Sequence, residues 1–100
     1  MTFQVRFTKS ARADLSRRFA HLAQHDPVLA KRARIKIGKA IDLLQEFPFT
    51  CRKASPDNPF MRELVIQFGA SGYVALFEIE NGNTVTILAV RHQREDDFLD

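Results

Sequence analysis

The chain reads as an α+β domain in which a strand, a hairpin of two helices and a three-stranded antiparallel meander follow one another. Three observations predict this: a period-2 apolar alternation at the start, two successive apolar stripes of helical period, and a change to strand signals from Phe60 onward. With 100 residues, 45% of them hydrophobic, there is room for one core, and residues 1–100 read as a single domain.

Each element has its own justification. Phe3, Val5 and Phe7 alternate with Gln4, Arg6 and Thr8, the pattern of a half-buried first strand. Ser10 is the expected cap of a first helix whose stripe is Ala11, Leu15, Phe19 and Leu22. Asp14 and Arg18 lie one turn apart, on what should be its exposed side, in a mild helix-supporting role. Asp26-Pro27 reads as a cap followed by proline at the first helical position, opening a second helix that stops before Pro48. Its buried stripe is Leu29, Ala33, Ile37, Ala40, Ile41, Leu44 and Phe47, with Arg32, Lys36 and Lys39 on another face. Gly38 is expected to mark close packing against the first helix.

Residues 49–59 lack periodicity and contain Pro56-Asp57-Asn58-Pro59, so an exposed loop is expected there. Leu64, Ile66 and Phe68 then alternate with Glu63, Val65 and Gln67, a glycine-bounded turn follows at 69–72, and a second strand runs from Tyr73 to Glu80. Asn81-Gly82 is a hairpin signal, because both residue types tolerate positive φ. The strand from Thr84 to Arg91 is apolar on both faces in its second half, as in a covered central strand.

Composition excludes several classes of function. No stretch is long and apolar enough for a membrane span or a signal core, so a cytoplasmic location without membrane association is expected. Cys51 is alone, which rules out an intramolecular disulfide and a Cys-rich zinc framework. Phosphate loops, nucleophile elbows and metalloprotease helices are absent. His21 and His25 have the i, i+4 spacing of a metal pair but lack a third ligand, so neither metal nor cofactor is expected. The formal charge is only +3, yet Glu95, Asp96, Asp97 and Asp100 crowd the end, leaving a body more basic than the total and attractive to nucleic acid or an acidic protein.

The residues that could carry chemistry are cations: Arg62, Arg91, His92 and Arg94 at strand ends, with Arg52 and Lys53 in the loop. If Arg62 and Arg91 stood side by side they would form a forked anion site, and His92 could move a proton during phosphate chemistry. The alternative is that Arg91 and Arg94 pair with Glu63, Glu78, Glu95 or Asp96 to hold the sheet edge.

The run Ser10-Ala11-Arg12-Ala13-Asp14-Leu15, the start Phe60-Met61-Arg62-Glu63-Leu64 of the meander, and its close from Thr84 through Ala89-Val90-Arg91-His92-Gln93-Arg94 together resemble the RelE/ParE toxin superfamily over almost the whole chain. The resemblance implies a toxin of a type II toxin–antitoxin operon, neutralised by a small acidic antitoxin, with operator DNA reached only through their complex. It also implies two activities. The Ser-Ala-x-x-Asp-Leu start and the ending His92-Gln93-Arg94-Glu95-Asp96 look more like ParE, which poisons DNA gyrase; Arg91, Arg94, Arg52 and Lys53 would then bind the target. The alternative resemblance is to RelE-like enzymes, which cut mRNA on the ribosome without a metal; Arg62, Arg91 and His92 would then be catalytic. Against that stands the position after the last strand, where those nucleases commonly carry a proton-exchanging aromatic residue and this chain has only Phe98. Exposed Phe60, Met61 or Leu64 beside an unpaired strand would serve antitoxin binding.

Overall fold

A computed structural model describes residues 2–69 and 71–93. The elements are β1 (Gln4–Phe7), α1 (Lys9–His25), α2 (Pro27–Asp42), two short 3-10 turns, β2 (Arg52–Ser55), β3 (Asn58–Phe68), β4 (Ser71–Glu80) and β5 (Thr84–His92). They form one five-stranded mixed sheet in the order β1-β5-β4-β3-β2, with β1 parallel to β5 and the remaining neighbours antiparallel. The expected α+β order of strand, helix hairpin and meander is therefore present.

Two expectations are corrected at the start of α1. The cap is Thr8, not Ser10: its hydroxyl accepts from the Ala11 N–H at 3.0 Å and donates to the Leu88 carbonyl at 3.2 Å, while its own N–H donates to the Ile87 carbonyl at 3.0 Å. One residue thus ends the strand and starts the helix, which leaves Ser10 already inside the first turn. Asp14 faces inward. One oxygen accepts from Arg17 at 2.9 Å, and the other accepts from the backbone N–H of Val90 at 2.9 Å. The reason lies in β5: β1 pairs with it only as far as Ile87, and a bulge at Leu88 shifts the register against β4, so the Val90 N–H needs a side-chain acceptor.

Asp26 caps α2 as expected, accepting from Val28 and Leu29 N–H at 3.1 Å each. Ala33, Ile37, Ile41 and Leu44 are buried, but Phe47 is 55% exposed, because α2 gives way at Leu43 to a 3-10 turn that rotates the stripe off the core. Gly38 is also exposed with open space where a Cβ would be, so it marks no close packing.

The expected loop at residues 49–59 is largely structured. A 3-10 turn at Pro48–Thr50 leads into β2, which pairs with the start of β3 through Arg52↔Glu63, Lys53↔Arg62 and Ser55↔Asn58. The proline-rich stretch is the turn of this hairpin, and the sheet gains a strand at its edge. At the other hairpin, Asn81 and Gly82 take φ of 52° and 78°, and Asn83 N–H returns to the Glu80 carbonyl at 3.2 Å.

The helices cover one face of the sheet. Ala11, Ile37, Ile41 and Leu44 meet Ile66, Tyr73, Ala75, Phe77, Ile79, Val85, Ile87 and Val90 in the core. Strand alternation sends Met61, Glu63, Val65, Leu76, Glu78, Ala89 and Arg91 to the opposite, helix-free face. On that face Thr86 is buried beneath Arg6, whose Nε donates to its hydroxyl at 2.9 Å.

Candidate functional site

On the helix-free face Arg52 on β2, Glu63 on β3 and Arg91 on β5 form a chain of charges that passes over β4. Arg52 is opposite Glu63 in the β2–β3 register, and its Nε donates to Glu63 Oε1 at 2.9 Å. Arg91 Nη2 reaches Glu63 Oε2 at 3.4 Å. The Glu63 side chain is mostly covered, while that of Arg52 is 60% exposed and that of Arg91 31% exposed. One carboxylate therefore orients two guanidinium groups, of which that of Arg52 is the more exposed. Of the two sequence readings for Arg91, pairing with Glu63 is the one observed.

Arg62 lies elsewhere. It sits on the helix side of β3, opposite Phe77, and its guanidinium is wrapped by the turn before β2 and by its own strand. Nε donates to the Pro59 carbonyl at 2.7 Å; Nη1 donates to the carbonyls of Cys51 at 2.8 Å and Phe49 at 3.1 Å. The group also stands 5.4 Å from the centre of the Phe49 ring, and Phe49 in turn meets Phe3 and Phe60 edge-on. Phe60 is about half exposed, whereas Met61 and Leu64 are only partly so, and Leu64 packs against the core. Lys53 is opposite Arg62 and exposed.

His92 is opposite Tyr73, with the rings edge-on at 5.6 Å, and Tyr73 continues to Phe68 at 6.3 Å. Burial pushes the Tyr73 hydroxyl pKa up, against the pull of nearby Arg18; the Arg18 guanidinium is itself shifted down, first by burial and then by Arg17. Successive strand residues point to opposite faces, so Arg91 and His92 are divided by the sheet. Arg62 and His92 share a face, but their rows are four residues apart on β3, about 13 Å at the usual rise. The expected juxtaposition of Arg62 with Arg91, and of either with His92, is not made. Arg94 lies outside the described residues.

The remaining candidates carry no assembled chemistry. Cys51 is half-buried, and burial pushes its thiol pKa up, against Arg62. His21 and His25 touch edge-on at 5.1 Å, but among the described residues no group of three His, Cys, Asp or Glu is placed to hold a metal ion. No helix there is long and apolar enough to cross a membrane. Arg52 was among the sequence candidates, but loop reasoning missed that it stands on a strand opposite Glu63. The signal for it was Ser55-Pro56-Asp57-Asn58, a turn sequence able to join two strands as readily as to end a loop.

Comparison with known proteins agrees with this architecture. A family model described as the ParE toxin of the type II toxin–antitoxin system parDE matches residues 5–97. Among solved structures, a chain of the chromosomal ParDE toxin–antitoxin system from P. aeruginosa is similar, with a TM-score of 0.74 and 22% identity over 91% of this chain and 96% of that one. A chain of the toxin–antitoxin complex RelBE2 from Mycobacterium tuberculosis is similar with a TM-score of 0.58 and 24% identity, covering 93% of each. No functionally curated protein matches.

Proposed function

The chain belongs to the ParE toxin family of type II toxin–antitoxin systems, and from that premise we propose that it binds and poisons DNA gyrase in the cytoplasm until a cognate antitoxin neutralises it. The observation that carries this reading is the separation of Arg62, Arg91 and His92. Cleaving RNA through its own 2′-hydroxyl requires a proton-transfer group and charge-stabilising donors within hydrogen-bond reach of one phosphate. Here His92 and Arg91 face opposite sides of a sheet, and Arg62 is engaged with three carbonyls.

The Arg52–Glu63–Arg91 chain suits protein recognition better. Its two guanidinium groups are oriented by Glu63 and partly exposed on the helix-free face, a positive display that would attract carboxylates of a partner surface. In this reading Arg91, Arg94, Arg52 and Lys53 contact the target. Both solved neighbours come from toxin–antitoxin systems, which supports an antitoxin as the second partner.

The test is direct. Purified chain, gyrase, ATP and supercoiled plasmid should accumulate protein-linked linear DNA, and Arg91→Ala should reduce that accumulation at least tenfold, the factor set by about 1.4 kcal/mol of lost binding. Programmed ribosomes given the same chain should keep their mRNA intact. Cut mRNA without trapped DNA would replace this reading with the ribonuclease one.

A further inference from the structure

The outer face of α2 is a second, independent interaction surface, and we propose that it binds double-stranded DNA directly. Five of the chain's 15 Lys and Arg fall within residues 31–39, and no acid lies between Asp26 and Asp42. Protein surfaces that are merely solvated intersperse both signs of charge. Among the described residues the ion pairs lie elsewhere, on Arg6, Arg17, Arg52 and Arg91, and Lys31, Arg32, Lys36 and Lys39 enter none of them. All four are exposed. Among the described residues no ion pair offsets the field they produce, and a polyanion is the ligand that would gain most from it.

Shape selects the kind of polyanion. At 100° per residue Val28, Ile35 and Lys39 lie along the outer ridge of α2, Arg32 and Lys36 on one shoulder, and Lys31 on the other. A convex helix of about 10–12 Å diameter fits the major groove of B-form DNA, about 12 Å wide, and places cations against both walls; the A-form groove of RNA is too narrow. From Arg32 to Lys39 the helix rises about 10 Å, over which one DNA strand carries about three phosphates. Val28 and Ile35 are 67% and 49% exposed, an otherwise unfavourable display that would be matched by thymine methyl groups on the groove floor. Arg32 and Lys36 also form one bank of a shallow groove whose other bank is Gln67, Phe68 and Gly69. That groove lets a phosphate strand pass beside the helix.

The experiment needs no gyrase, so its failure leaves the gyrase reading untouched. The full chain is titrated into a short labelled DNA duplex at salt concentrations from about 50 to 200 mM, with an RNA duplex and a poly-glutamate peptide as competitors. Binding should weaken with salt at a log–log slope of roughly −3 to −4, corresponding to four phosphate contacts. The combined variant Arg32→Gln, Lys36→Gln, Lys39→Gln should bring the slope to about −1 and weaken binding at low salt at least tenfold, with an unchanged melting temperature. Lys9→Gln on α1 serves as the control and should bind as the parent does. No binding at the lowest salt, or binding unaffected by the triple variant, overturns the proposal. Displacement by poly-glutamate or RNA as effective as by DNA overturns it equally, in favour of an acidic protein or a general polyanion.

Discussion

Arg62 on β3 and Arg91 on β5 look alike in sequence and behave differently in the fold. Near the start of β3, Arg62 turns towards the helix side and is surrounded by carbonyls of Phe49, Cys51 and Pro59. On β5, Arg91 turns to the helix-free face and meets the Glu63 carboxylate, which it shares with Arg52. A guanidinium with three backbone acceptors replaces the hydrogen bonds of a chain segment that has little regular structure, so it belongs to the scaffold. A guanidinium held by a carboxylate on the helix-free face presents its charge towards that face. The comparison teaches that the face to which an arginine turns, and the kind of acceptor it meets there, decide how far it is tied into the backbone of the scaffold.

If this division is right, the Arg91 end must be rigid for reasons other than its arginine, and Gly72 is the test. This residue lies in β4 beside Ile66, its carbonyl accepts from Gln93 N–H at 2.8 Å, and a Cβ added to it would collide with the Ile66 carbonyl. Backbone cannot yield as a flexible side chain can. Gly72→Ala should cost about 3 kcal/mol or more and lower the melting temperature by roughly 12 °C or more. A variant melting within a few degrees of the parent would mean that this end of the sheet is adaptable, and the contrast with the Arg62 end would lose its basis.

The next effect is the arginine exchange itself. Arg62→Ala should destabilise by about 2–3 kcal/mol, because three carbonyls lose a charged donor, while gyrase trapping per folded molecule stays at the parent level. Arg91→Ala should show the reverse pattern, changing stability by less than about 1 kcal/mol, as expected for a partly exposed ion pair, while trapping falls. Urea unfolding and plasmid trapping on the same preparations separate the two. Equal losses of stability in both variants would show that Arg91 is also part of the scaffold.

Much of this scaffold could be read from residue order, and the exceptions have a common cause. The period-2 run at Phe3, Val5 and Phe7 and the stripe through Ala33, Ile37 and Ile41 are local signals, and they located β1 and α2 correctly. Asp26 capped α2 as read, because a cap acts within its own turn. Asp14 misled, because its partner is the Val90 N–H, 76 residues away and exposed only where β1 stops short of a bulge. Arg62 and Arg91 misled for the same reason. Their spacing along the chain carries no information on which face of the sheet each one takes, since that depends on register between strands and a residue inserted at Leu88. The strand placement of Arg52 was hidden by prolines, which end strands and also turn hairpins. The chemistry of the candidate site was therefore legible as a set of cations, but its division into scaffold and surface was not.

The smallest effect probes both ends at once through two weak acids. Cys51, whose carbonyl binds Arg62, and Tyr73, whose ring meets His92, both have pKa values raised by burial above the ordinary 9.0 and 10.0. Each keeps its proton in the fold after the unfolded chain has lost it, so the unfolded state binds fewer protons in that interval and stability must fall with rising pH. The contribution is complete below the unfolded pKa and is lost as pH climbs through the folded one. Urea midpoints should hold steady to about pH 9, then decline in two overlapping steps, the first from the thiol and the second from the phenol. Cys51→Ala should remove the first step and Tyr73→Phe the second, each leaving the other in place. Two variants with the same alkaline decline as the parent would show that neither acid is held away from solvent, and that both ends of the sheet open to water more readily than their packing implies.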